Sequence, residues 1–402
     1  MTSFFKPKRI KDFKPTKFKM YTFMSGLKKS GKDLLVIDFE RNCSFAAVYS
    51  KTSTPSAPII WDKKQKNNLC NLLIVNSGNA NAYTGNKGIE SIKNYTMCAA
   101  NVFQCNKRNI YVSSTGVIGE QIDPNKINYQ LKKINKKNTS SLLQAAKAIM
   151  TTDTFPKVEI QNIKFGNKNI KIYGFAKGSG MIAPNMGTML AYIFIESDLT
   201  SKHLKNIIKD NIDSTFNSIS VDGDTSTSDT VMIFSIPSNN DKKDIIKNSL
   251  LKKISNGTHK VMLNLSKQIV SDGEGISKLI EVNIFSGKSK TQSKKVAFSI
   301  AESMLVKTAI AGEDANWGRI IMAIGKADKN IQQNKIEVSF GNLLVAKNGM
   351  KNNKINIKKL DQYMKNKIIN INVKLNLGKF QKTVWSSDLT YEYVKINKDY
   401  RS

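Results

Sequence analysis

The sequence predicts a mixed α/β protein, and three observations carry that expectation. Apolar runs of strand length recur along all 402 residues, and runs with helical period lie between them. A 40% hydrophobic and 8% aromatic composition is enough to bury one large core or two medium ones. Strands are expected at Leu34 to Ile37, Leu72 to Val75, Ile170 to Phe175, Met189 to Ile195, Val231 to Ile236, Leu279 to Phe285 and Ile368 to Leu375, several of them bounded by Gly, Asn or Asp. Helices are expected where Leu204, Ile207, Ile208, Ile212 and Phe216 share a face, and where Val261, Met262, Leu265 and Ile269 do. Lys- and Asn-rich stretches such as Lys132 to Asn138 and Lys347 to Lys359 read as surface loops and helix ends. No internal repeat and no long Gly/Ser/Pro linker divides the chain.

Composition excludes several classes. No apolar run approaches the ~20 residues a bilayer span requires, and the Lys-rich start (Lys6, Lys8, Arg9, Lys11, Lys14) lacks the apolar segment of a secretory signal, so a cytoplasmic location is expected. Cys43, Cys70, Cys98 and Cys105 show no C-x-x-C spacing and read as reduced core thiols. The 63 Lys+Arg against 31 Asp+Glu give a formal charge of +32, which ordinarily points to nucleic acid or a membrane surface. Only Arg9, Arg41, Arg108, Arg319 and Arg401 are arginines, however, and base readout favours the arginine fork. Lysines scattered among Asn and Ile suit solvated faces better, and nucleic acid is not the expected partner.

What is missing narrows the chemistry. His203 and His259 are the only histidines, each in polar context at an expected helix edge or start, and they argue against a Ser-His-Asp triad and against histidine-based zinc sites. No metal is expected. Gly178 to Ala183 matches G-x-G-x-x-A, but Pro184 and Asn185 follow where a dinucleotide fingerprint needs a helix. Gly287-Lys288-Ser289 resembles the end of a phosphate-binding loop, yet Val282 stands where glycine is required. The stretch Asp222 to Asp229 offers carboxylates for a cation, while Thr227 at the sixth position departs from a calcium loop; an Asp-capped turn fits it.

One segment suits nucleophilic chemistry without histidine. From Lys177 to Leu190 the chain reads KGSGMIAPNMGTML, small and turn-forming residues that lead to Gly187-Thr188 and then at once to an apolar strand. Gly187 is free to adopt the backbone that an N-to-O acyl shift needs. Hydrolysis of the resulting ester would leave Thr188 as a new N-terminus, with an α-amine of unperturbed pKa roughly 7.7–8.0 to act as its base. Spacing alone equally suits a Gly-rich turn before a core strand.

This segment resembles the self-cleaving threonine site of the ornithine acetyltransferase family, also known as the bifunctional glutamate N-acetyltransferase or ArgJ family. The resemblance extends, in order, through Asn76 to Gly85 (NSGNANAYTG), Ser113 to Glu120 (SSTGVIGE), Ala148 to Lys157 (AIMTTDTFPK), Val221 to Asp229 (VDGDTSTSD), Ser271 to Gly275 (SDGEG), Lys307 to Ile320 (KTAIAGEDANWGRI) and Asp388 to Ser402. It implies a layered α+β fold of N-terminal-nucleophile type, with stacked β-sheets flanked by helices. It also implies self-cleavage into an α chain, residues 1–187, and a β chain, residues 188–402, that assemble as an α2β2 heterotetramer. Thr188 would accept acetyl from N2-acetyl-L-ornithine and pass it to L-glutamate in a ping-pong reaction of the cyclic arginine pathway, with no cofactor, and with acetyl-CoA as co-substrate if the enzyme is bifunctional.

By the same resemblance Thr115 and Gly116 form the oxyanion pair, and Thr151, Lys177, Thr188, Glu274, Asn397 and Ser402 contact substrate. Thr151 is preferred to Thr152, although the block does not fix the register. Lys177 is assigned to a carboxylate and Glu274 to an ammonium. Departures from the family pattern fall at Gly187, often Ala; Ala183, often His; Tyr83 and Ser387, often Cys; and Ser228, usually Asn. Two rivals remain at this point: an N-terminal-nucleophile amidase or aminopeptidase with water as acceptor, and a basic nucleic-acid-binding protein without catalysis.

Overall fold

The computed structural model describes residues 5–65, 67–183, 189–237 and 247–398. Its first body is built on one long strand. After β1 (Lys19–Phe23), β2 (Leu34–Tyr49) runs sixteen residues with a kink at Glu40, where φ is 57° and the pairing register breaks between Asp38 and Cys43. The first half of β2 pairs with β1 and with β3 (Leu69–Asn79), and β4 (Ile110–Val117) joins β3 in parallel. Helices α1 (Ala57–Lys64), α2 (Gly85–Phe103) and α3 (Pro124–Lys132) belong to this half; α4 (Leu142–Ala148) follows. Strands β5 (Lys157–Phe165), β6 (Lys168–Lys177) and β7 (Leu190–Ile195) come next, then α5 (Ser201–Ile212), β8 (Ile219–Ser220), β9 (Thr230–Ser235) and α6 (Asn248–Val270). The second half of β2 pairs with β9, completing the order β4-β3-β2-β9-β7-β6-β5.

Period-two alternation divides each strand between two cores and so sets the layers. In β7, Leu190, Tyr192 and Phe194 join Phe18, Leu35, Ile37, Phe39 and Val75 of the other half of the sheet, whereas Ala191, Ile193 and Ile195 meet Leu204 and Ile207 of α5 and Leu265 of α6. Phe194 stacks on Phe18, just before β1, at 4.8 Å, which joins the facing halves, and on Phe234 of the neighbouring β9 at 5.5 Å. On the far side Leu34, Val36, Leu72 and Ile74 pack on Trp61, Ile92, Tyr95 and Leu131 of α1 to α3. The result is helices, sheet, sheet, helices, the stacked arrangement expected for the family.

A second sheet follows. It is built from β10 (Leu279–Gly287), β11 (Glu337–Phe340), β12 (Leu343–Lys347), β13 (Met350–Lys351), β14 (Ile368–Lys374) and β15 (Phe380–Ser387), in the order β13-β12-β11-β14-β10-β15-β8. The helices α7 (Lys290–Ala301), α8 (Met304–Ala311), α9 (Trp317–Ala327) and α10 (Ile357–Met364) cover it through a separate core that includes Val282, Ile300, Ile324 and Ile371. Trp385 of β15 packs into the α5–α6 core, so the two bodies share a seam. The chain ends its described part in α11 (Tyr391–Lys398).

Every expected strand is present, and so are both expected helices, although α5 ends at Ile212 and Phe216 falls in a separate 3-10 turn beyond it. Three readings need correction. His259 lies in the middle of α6, not at an edge, with its Nε2 3.1 Å from Ser214 Oγ. The Lys347 to Lys359 stretch carries the β12–β13 hairpin and the start of α10 as well as loop. Of the four free cysteines only Cys43 and Cys70 are buried; Cys98 and Cys105 are partly exposed.

Candidate active site

The site begins at the ends of two strands. Parallel pairing of β3 with β4 sets Ser77 opposite Thr115 and Gly78 opposite Gly116. Gly116 has φ +132°, and a Cβ there would lie 2.3 Å from the Gly78 carbonyl carbon and 2.6 Å from the Asn79 nitrogen. Only glycine fits this close approach of two backbones. Thr115, 2% exposed, turns its hydroxyl towards the last residue of β6, and Lys177 Nζ donates to Thr115 Oγ1 at 3.1 Å. Burial pulls the Lys177 ammonium below its ordinary pKa, with Asp153 acting against that shift.

Behind these residues lies an ion cluster with no solvent access. Lys157 Nζ is 2.6 Å from Asp153 Oδ1 and 2.6 Å from Asp272 Oδ2, and all three side chains are fully buried. Burial alone would push the Asp153 carboxyl up, yet Lys157, Lys177 and the Gly178 N–H together hold it well below the usual carboxylate range. The cluster ties three loops together. Thr151 N–H donates to Asp153 Oδ2 at 3.0 Å, Gly178 N–H to Asp153 Oδ1 at 2.7 Å, and Thr154 N–H to Asp272 Oδ2 at 2.9 Å. The loop 271–275 thereby comes beside the segment after β6, where the Glu274 N–H donates to the Ser179 carbonyl at 3.0 Å.

The far wall is made by that loop and the C-terminal helix. Asn397 of α11 donates to Glu274 Oε2 at 2.8 Å, and Thr390 Oγ1 donates to the Gly275 carbonyl at 2.6 Å. A Cβ at Gly180 would meet the Glu274 carboxylate at 2.5 Å, so this glycine makes room for the acid. Thr115, Gly116, Thr151, Lys177, Glu274 and Asn397 therefore line one pocket. Thr152 lines it too, with its hydroxyl 2.6 Å from that of Ser179, while Thr151 Oγ1 has no hydrogen-bond partner among the described residues.

Gly187, Thr188 and Ser402 lie outside the described residues, as does the Gly187–Thr188 bond. The Asp222 to Asp229 stretch is a loop in which Asp222 Oδ1 accepts the Asp224 N–H at 3.3 Å, and no group suited to a metal occurs among the described residues. His203 serves the start of α5, where it and Thr200 cap one another, and neither histidine lines the pocket. No helix follows Gly178 to Ala183 among the described residues, as the rejected dinucleotide motif would require. The sequence reading did not single out Lys157, Asp153 or Asp272 from the blocks that contain them. Their signal was a lysine four residues after an aspartate within an apolar, Pro-containing stretch.

The pocket thus gathers a hydroxyl, a buried lysine and a carboxylate from blocks far apart in sequence. The ArgJ family model matches residues 19–402. The arginine biosynthesis bifunctional protein ArgJ of Bradyrhizobium diazoefficiens is 41% identical over 380 residues, covering 93% of this chain and 92% of that protein. The protein of the same name from Bartonella henselae is 42% identical over 389 residues, covering 95% and 94%. The crystal structure of a Bacillus halodurans ArgJ chain, 33% identical, aligns with 52% of this chain and 99% of that one at a TM-score of 0.47. With the family model matched over residues 19–402 and these two ArgJ proteins more than 40% identical over more than nine-tenths of both chains, the chain belongs to the ArgJ family.

Proposed function

We propose that this ArgJ-family chain is a self-processing acetyltransferase of arginine biosynthesis that moves acetyl from N2-acetyl-L-ornithine to L-glutamate. The bond between Gly187 and Thr188 opens, giving chains 1–187 and 188–402. Thr188 Oγ then attacks the acetyl carbonyl while its own α-amine takes the proton. Ornithine leaves, an acetyl-Thr188 ester remains, and the glutamate amine resolves it.

Each half-reaction passes through a tetrahedral oxyanion, and a preorganised donor aimed at it is worth about 2.7–4 kcal/mol. Thr115 Oγ1 accepts from Lys177. Its own hydrogen must then point elsewhere, which leaves the hydroxyl as a donor for the pocket. The Gly116 N–H is the second donor. Lys177 and Glu274 present opposite charges within one cavity, the pattern an amino acid with an α-carboxylate and a side-chain ammonium requires. Thr151, Asn397 and Ser402 complete the substrate contacts, acetyl-CoA is a second acetyl donor to glutamate if the enzyme is bifunctional, no cofactor takes part, and the processed chains assemble as α2β2 in the cytoplasm.

The observation that carries this reading is the convergence of Thr115, Gly116, Lys177 and Glu274 on one pocket beside the strand that follows Thr188. The test is to supply purified protein with N2-acetylornithine and glutamate, and separately with acetyl-CoA and glutamate, and to measure N-acetylglutamate. Product in the first mixture is expected, and product in the second identifies the bifunctional case. Absence of product in both rejects the assignment, and acetate release in abundant glutamate favours the amidase reading.

A further inference from the structure

Two substrates of opposite side-chain charge use one pocket in turn, and Glu274 suits only one of them. A carboxylate that attracts the ornithine ammonium repels the side-chain carboxylate of L-glutamate. Among the described residues that line the pocket, Lys177 and Glu274 alone are charged. With Lys177 holding the α-carboxylate, the second carboxylate of glutamate meets only neutral donors in that lining.

Ser226, Thr227 and Ser228 supply such donors. They line the same pocket on the loop before β9, and Ser226 and Ser228 are buried. The backbone of this run is fixed by residues 50–56: the Ser226 carbonyl accepts the Ser50 hydroxyl at 2.7 Å, and the Thr227 carbonyl accepts the Ser56 N–H at 2.8 Å. Just beyond it, the Ser50 N–H donates to the Asp229 carbonyl at 2.9 Å. The hydroxyls are less fully used. Ser226 Oγ accepts the Ser228 N–H at 3.0 Å, while Thr227 Oγ1 and Ser228 Oγ lie 3.2 Å apart and share a single hydrogen. Each hydroxyl carries one hydrogen. Among the described residues, therefore, the Ser226 hydrogen and one of the Thr227–Ser228 pair have no acceptor.

Resting on the acetyl-transfer reading above, we infer that Ser226, Thr227 and Ser228 bind the side-chain carboxylate of L-glutamate and so determine the choice of acetyl acceptor. Two free hydroxyl hydrogens on a loop already fixed by its backbone are preorganised for a carboxylate, and buried donors to a charged group form the stronger class of hydrogen bond. The donor substrate sends its ammonium to Glu274, and the acceptor sends its carboxylate to the hydroxyl run. One pocket thereby accepts both without either side chain facing a like charge.

The experiment compares ping-pong kinetics of the purified enzyme for wild type, Ser228→Ala, the double variant Ser226→Ala/Ser228→Ala, and Ser228→Thr, which keeps the hydroxyl. Release of ornithine from N2-acetylornithine reports the first half-reaction, which involves no glutamate and so also checks that the pocket is intact. We expect the double variant to lose about ten-fold or more in kcat/KM for glutamate, through KM, with kcat/KM for N2-acetylornithine nearly unchanged. Ser228→Ala, which leaves the Ser226 to Ser228 backbone bond in place, should show the same selective loss in smaller measure, and Ser228→Thr should recover it. An unaltered KM for glutamate in both alanine variants overturns the inference. So does an equal loss for the two substrates, which would make the run a structural support only. A wild-type enzyme that releases no ornithine from N2-acetylornithine instead overturns the acetyl-transfer reading itself.

Discussion

The two walls of the pocket are held in different ways. Thr115, Gly116 and Lys177 sit at the ends of β4 and β6, strands held by the ladder to β3 in the first case and to β5 and β7 in the second, and backed by the core between the facing sheet halves. Glu274 and Asn397 sit on a short loop and on α11, a helix with no buried residue, on which Tyr391 is 95% exposed. That wall is fastened by individual side-chain bonds: Asn397 to Glu274, Thr390 to Gly275, and Asp388 accepting from the Ser277 N–H at 2.9 Å. The strand wall resists displacement because moving it breaks a ladder and a core. The loop wall moves at the cost of a few hydrogen bonds, each worth about 0.5–1.5 kcal/mol net. Charge stabilisation tolerates little misplacement and is assigned to the first wall; substrate fit is assigned to the second.

The largest expected effect comes from damaging the strand wall. Gly116→Val forces a side chain into the Gly78 backbone and disfavours the positive φ, so the N–H donor shifts off target. Turnover should fall by about 100- to 1,000-fold if one oxyanion donor is lost. Steady-state kinetics on the folded variant decide the matter, and unchanged turnover would remove Gly116 from the chemistry.

Each wall also has a buried lysine behind it, and the two lysines are solvated differently. Lys157 has two carboxylates, whereas among the described residues Lys307 has only the Ser386 and Ser387 hydroxyls and the Ser387 carbonyl as hydrogen-bond partners. Lys157→Met strands two buried carboxylates, and stability at pH 7 should drop by about 3–5 kcal/mol. Asp153 is depressed in the folded state, so its contribution is present above its unfolded pKa of about 3.9 and is lost as pH falls below it. The gap between wild type and Lys157→Met, measured by urea unfolding, should therefore close under acid. A gap unchanged at low pH would show that charge is not its cause.

For Lys307 the sign reverses. Burial lowers this ammonium to about 8, so between about 8 and 10.5 the unfolded chain binds more protons than the folded one. Its contribution to stability therefore rises with pH across that window, by up to about 3 kcal/mol. Lys307→Met should lack this alkaline gain. If wild type and variant respond identically between pH 8 and 10, Lys307 is not the group responsible.

The sequence showed the frame more readily than the site. Met189 to Ile195 and Val231 to Phe234 are apolar throughout because both faces of those strands are buried, and such runs announce themselves. β4 does not: Ser113, Ser114 and Thr115 are buried polar residues in a strand, and a Ser-Ser-Thr-Gly run reads as a turn until it is seen that Ser114 Oγ donates to Asn76 Oδ1 at 2.6 Å. Lys177 shows the same limit, since one lysine among so many looks solvated, and only the fold buries it. The site residues emerged by resemblance because the pocket is assembled from blocks that spacing cannot connect. Even the resemblance passed over Lys157, whose significance lies in its buried neighbours Asp153 and Asp272.

The smallest expected effect falls on the loop wall, where it sharpens the contrast most. Asn397→Ala removes a hydrogen bond to Glu274 Oε2 but leaves the carboxylate in place, still enclosed beside Gly180 and with its backbone held by Ser179. Loss of one such bond to a charged group is worth about 1.5–3 kcal/mol when nothing replaces it. Water readily replaces it here, because α11 has no buried residue and its removal from the wall exposes the acid. We therefore expect KM for N2-acetylornithine to rise by a few fold with kcat nearly unchanged, the signature of binding that is equal in ground and transition states. A large fall in kcat with unaltered KM would instead move Asn397 to the side of the pocket where the chemistry is done, and the division between the two walls would fail.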